Sequence, residues 1–156
     1  MLRELVRVGI VTQTYPDKAT VRVQMVDVDD TVSYELPVIM RKTLKDKDYW
    51  MPDVGEHVVC LFLGQGLEQG FVLGAIYSEA DKVPVIEQNK RHIEFEDGTV
   101  IDYDRIAHRL YINCVGEVNI IAAQGVKIQG DINITGNIHA TGAIIDEGGN
   151  TNHHSH

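Results

Sequence analysis

The chain has 156 residues, 44% hydrophobic and 24% charged, with a formal net charge of −9. That is the composition of a folded chain of one domain, or of a small domain with an extension. Its acidity argues against a nucleic-acid partner, because carboxylates repel phosphate backbones. A patch of Arg41, Lys42, Lys45 and Lys47 is broken by Asp46 and Asp48 and reads as a solvated loop.

In chain order, residues 1–80 read as short strands. The runs "LVRVGIVTQT" (5–14) and "ATVRVQMV" (19–26) are joined by the Pro-Asp turn "YPDK". "SYELPVIM" (33–40) follows, then the charged loop "RKTLKDKDYW", then "EHVVCLFL" (56–63) and "GFVLGAIY" (70–77). Five short strands with one long central loop fit an OB-fold-like Greek-key barrel, with a small open sandwich as the alternative. Cys60 falls inside an apolar run and reads as a buried thiol, and Cys114 follows a strand. The pair suggests neither a disulfide framework nor a zinc site. "MLRELVRVGIV" lacks the core of a secretory signal, and no apolar run approaches the roughly 20 residues that span a bilayer. Synthesis and folding in the cytoplasm are expected.

Residues 81–115 form a linker, a hairpin and a strand leading onward. "HIEFEDGTVIDYD" (92–104) alternates on both sides of Asp97-Gly98, which predicts a two-residue turn, and "RLYIN" (109–113) adds a strand. Glu94, Glu96 and Asp97 read as a solvated face.

From residue 116 onward the pattern changes. Glycine recurs at 130, 136, 142 and 148, a period of six. Even positions from 116 to 144 are apolar or glycine except Gln124, while odd positions from 127 to 141 are polar. Alternate side chains of an extended chain face opposite ways, so one face is dry and one is wet. A six-residue period suggests a β-helix, but a triangular coil needs about 18 residues, so residues 116–148 supply fewer than two coils per chain. Three copies wound about a threefold axis would cover the dry face and leave no free sheet edge. The expected architecture is therefore all-β: an OB-fold-like barrel, then an intertwined trimeric β-helix or β-prism, with an apex at 149–156.

That apex ends "TNHHSH". If parity persists, His154 and His156 point inward and His153 outward. Three chains would then bring six imidazoles to the axis, an octahedral set suited to iron, nickel or cobalt better than to tetrahedral zinc. Such a saturated site is structural, with no position left for substrate. A disordered tail or purification remnant is the alternative. Asp146, also inward by parity, is a weaker candidate for a cation or water. His139 invites comparison with trimeric hexapeptide-repeat acyltransferases, but it falls on the outward face and the repeat pattern fits poorly. No nucleophile arrangement, phosphate loop or carboxylate cleft stands out. We expect no enzyme activity, no small-molecule substrate and no nucleic-acid partner.

Three stretches resemble one family. "YWMPDVGEHVVCLFLGQGLEQGFVLGAIYS" (49–78) looks like its barrel core, "FEDGTVIDYD" with "HRLYIN" like its hairpin, and "GDINITGNIHATGAIIDEGGNTNHHSH" like its β-helix and apex. The sequence is similar to the baseplate assembly protein V family, the central spikes of contractile phage tails and phage-tail-like bacteriocins. The resemblance implies a homotrimer with its barrel in the tail hub, among baseplate proteins of a virion or related particle. It implies one iron ion per trimer on His154 and His156, and mechanical piercing of the bacterial outer membrane when the sheath contracts. The other reading is an OB-fold binding module, for saccharide or nucleic acid, on a trimerisation stalk.

Overall fold

The computed structural model describes residues 5–64 and 66–145. Among these residues the chain forms strands and no helix. The strands are β1 (Val6–Tyr15), β2 (Thr20–Met25), β3 (Thr31–Val32), β4 (Leu36–Pro37), β5 (His57–Phe62), β6 (Gly70–Ala75), β7 (Lys90–Glu94), β8 (Val100–Asp104) and β9 (Arg109–Asn113). The all-β expectation is met. The chain divides at Val115 and Gly116 into two units.

The first six strands build a barrel. β1 pairs antiparallel with both β2 and β5, and β5 with β6. The ring closes through the segment after β3: Leu36 and Pro37 pair with Val21 and Thr20 of β2, and Val38 then bridges Val72 of β6 in parallel. Following the hydrogen bonds round gives β1-β2-β4-β6-β5-β1, the closed Greek-key order of an OB-fold. Strict alternation fills the interior. Val21, Val23 and Met25 of β2 meet Val58, Cys60 and Phe62 of β5, with Val11, Leu36 and Val72, all at most 1% exposed. Register shifts between Val11 and Gln13 and between Val59 and Cys60 supply the bends a closed sheet needs.

The single strand expected over 33–40 is not formed. Pro37 has no amide hydrogen to continue a ladder, and the chain changes partners there, from β2 to β6. Ser33 secures the approach to this corner. It is fully buried, its Oγ accepts the Val23 N–H at 3.0 Å, and it donates to the Tyr34 carbonyl at 2.7 Å. The loop 41–50 is polar as expected. Arg41 pairs with Asp48 and Lys42 with Asp46, each at 2.7 Å, so half of the basic patch is neutralised locally.

β7, β8 and β9 form a separate antiparallel sheet. Its first turn differs from the expected two-residue one. Phe95 donates to Thr99 O and Gly98 to Phe95 O, each at 2.9 Å, and Gly98 takes φ +86°. Asp97 is not in the left-handed region, so this is a longer turn with a glycine bulge. The difference moves the register by one residue. A two-residue turn at Asp97-Gly98 would set His92 opposite Tyr103, whereas the sheet sets it opposite Asp102.

Residues 116–145 of the second unit pair with no strand of their own. Gly130 and Gly136, six residues apart, share one conformation, with φ of +133° and +131°. Only glycine enters that region readily.

Candidate functional site

The second unit exposes a set of apolar side chains. Every described residue from Gly116 to Ile145 is solvent-exposed. Ile128, Ile132, Ile134, Ile138 and Ile144, all at even positions, are 67%, 58%, 55%, 66% and 76% exposed. Isolated exposed apolar residues are ordinary, but five uncovered isoleucines in one phase of the sequence are what an interaction surface would need. Between them the polar side chains of Asp131, Asn133, Thr135, Asn137 and His139 occupy the odd positions. His139 is exposed, and a lone imidazole in water has no partner to make it a base for catalysis.

The expected metal ligands His154 and His156 lie outside the described residues, as does Asp146. Among the described residues, no group of three or more His, Cys, Asp or Glu side chains is placed to hold a metal.

The first unit contains a titratable cluster that the sequence reading did not single out. His92 on β7 places Nδ1 2.9 Å from Asp102 Oδ2 on β8, and its Nε2 lies 3.5 Å from Glu94 Oε2. The His92 and Asp102 side chains are 12% and 11% exposed. The Nε2 atom is buried and makes no hydrogen bond. A neutral ring donating from Nδ1 would turn the Nε2 lone pair towards the Glu94 carboxylate, which is repulsive. The hydrogen bond to Asp102, with Glu94 behind it, raises the His92 pKa above its ordinary value. The His92–Asp102 contact joins neighbouring strands, so the cluster acts as a clasp between β7 and β8. Cross-strand pairing across the hairpin could have revealed it, but the turn type read from Asp97-Gly98 slips the register and hides it. Glu94 thus belongs to the clasp and is not simply part of a solvated face.

Cys60 sits in the barrel core as expected, and burial pushes its thiol up to about 11. It is a packing residue, inert at neutral pH.

Two comparisons bear on this geometry. Residues 7–77, the span of the barrel, match the family described as the type VI secretion system/phage-baseplate injector OB domain. The spike protein of Escherichia phage P2 is 30% identical over 125 residues, covering 80% of this chain and 58% of that protein. The chain thus spans little more than half the length of that relative.

Proposed function

We propose that this chain, whose residues 7–77 belong to the injector OB-domain family of type VI secretion systems and phage baseplates, is the structural central spike of a contractile tail. The observation that carries the reading is the set of uncovered isoleucines in one phase of residues 128–144. Full burial of an isoleucine is worth roughly 1.5–3 kcal/mol, more than half of each of these residues is still exposed, and no described residue covers them. Three copies about one axis would. Each would lend its dry face to a shared core and its backbone groups to the neighbouring chains, giving an intertwined β-helix.

The remaining parts follow from that arrangement. The barrel is the unit that would seat in the tail hub among baseplate proteins. The termini would meet at the apex, where His154 and His156 of three chains supply six nitrogens for one iron ion. That ion would tie the three chains together at residues 154 and 156. The work of crossing the bacterial outer membrane would come from sheath contraction. Stiffness, not catalysis, is then what the protein contributes. Its polar outer face and acidic charge oppose spontaneous insertion into a membrane. Such a chain would reside in the virion, or in a phage-tail-like particle, after assembly in the host cytoplasm.

Native mass spectrometry of the untagged protein, before and after chelation, tests both halves. A trimer carrying one metal, lost in His154→Ala/His156→Ala without loss of the trimer, supports spike and apex together. A metal-free trimer removes the apex site. A monomer removes the shared core, and with it the spike.

A further inference from the structure

The first unit carries a cleft that the spike reading does not use. It lies between the barrel and the β7–β9 sheet and encloses about 650 Å3. Trp50 and Phe95 meet across it, with ring centroids 5.5 Å apart and planes at 36°. Trp50 and Tyr77 are 60% and 64% exposed, unusual for side chains of this size. Glu56, Glu94 and Glu96 stand in the same lining.

Two of these carboxylates, Glu56 and Glu96, have no cation paired with them among the described residues. Glu94 faces the buried His92, and Glu56 accepts the Asp53 amide at 2.9 Å. An exposed indole face beside unneutralised carboxylates is the pairing that holds a guanidinium or an ammonium. The ring quadrupole attracts the cation and the carboxylates complete the charge. The same carboxylates repel phosphates, so the aromatics do not make a stacking platform for nucleic acid.

We propose that this cleft docks an Arg- or Lys-bearing segment of a partner protein, with the cationic side chain against Trp50 and Phe95 and its charge met by Glu56 and Glu96 of the same lining. The inference is argued from residues 50–96 and uses none of residues 116–145.

Trp50 is the chain's one tryptophan, so its emission reports on the cleft directly. The full chain is titrated with tetra-arginine, and with tetra-glutamate as the control. The expected result is a saturable change in Trp50 emission with tetra-arginine only, diminished by salt. Glu96→Gln, and separately Glu56→Gln, should each weaken it roughly twofold, and the pair up to about tenfold. Asp29→Asn/Asp30→Asn removes two exposed charges outside the cleft and should leave the affinity unchanged. Equal weakening by that control would mean general attraction to an acidic chain and would overturn the proposal. So would an emission change with a neutral oligosaccharide such as maltotetraose and none with tetra-arginine. Protection of Trp50 from acrylamide that grows with protein concentration, without a peptide response, would assign the cleft to a second copy. Circular dichroism of each variant separates lost binding from lost folding.

Discussion

Substituting Ile134 by Ala tests the shared core most directly. In the single chain Ile134 is 55% exposed, so association can cover about half of its side chain. Full burial of an isoleucine is worth roughly 1.5–3 kcal/mol, which leaves about 1 kcal/mol or more per chain to be gained from neighbours. The cavity left by truncation adds to this, towards the ~2–5 kcal/mol seen for Ile→Ala in packed cores. Threefold repetition makes the loss at least about 3 kcal/mol per trimer, or roughly two powers of ten in the association constant. Asn133→Ala is the matched control. It is one residue away, on the wet face, and should change stability by no more than about 0.5 kcal/mol. Sedimentation equilibrium across a concentration series reads both. If the two variants weaken association equally, or neither does, the alternation does not define an inside and an outside, and the shared-core argument fails.

The His92 clasp predicts a pH dependence with a definite sign. Its folded pKa is raised above the ordinary value of about 6.5, chiefly by the hydrogen bond to Asp102. Its stabilisation is therefore fully present below about pH 6.5 and lost as pH rises through the folded-state value. Thermal melts should show wild type losing more stability than His92→Gln over that upward range; parallel curves would count against the clasp. In the barrel, a Cβ on Gly9 would fall 2.5 Å from Gln24 O and 2.6 Å from Val23 Cγ1. Gly9→Ala should cost about 1–3 kcal/mol by overpacking, read as a lower urea midpoint. Gly74→Ala, with nothing within 4 Å of its Cβ, should leave that midpoint nearly unchanged.

Much of this protein was legible locally. Alternation in 5–14, 19–26, 56–63 and 70–77 marks strands, and it sorts Val21, Val23, Val58, Cys60 and Phe62 to a dry side, because a pleated strand has a period of two wherever it is placed. The same rule sets Ile132, Ile134 and Ile138 in one phase, whatever comes to cover them. What local pattern does not carry is which distant residue stands opposite. Pro37 reads as the middle of a strand, but the barrel uses it as the point where the chain leaves β2 for β6, and only closure of the ring makes that visible. Asp97-Gly98 reads as a two-residue turn, yet the bulge at Gly98 shifts β7 against β8 by one residue and brings His92 to Asp102. Trp50 and Phe95 lie 45 positions apart and become neighbours only because the second sheet packs beside the barrel. Periodicity is a property of consecutive residues, so the sequence alone could tell which sides are dry. Register, closure and the cleft are pairings between remote segments, decided by the competition among all of them for the same partners, and that competition is resolved only in the folded chain.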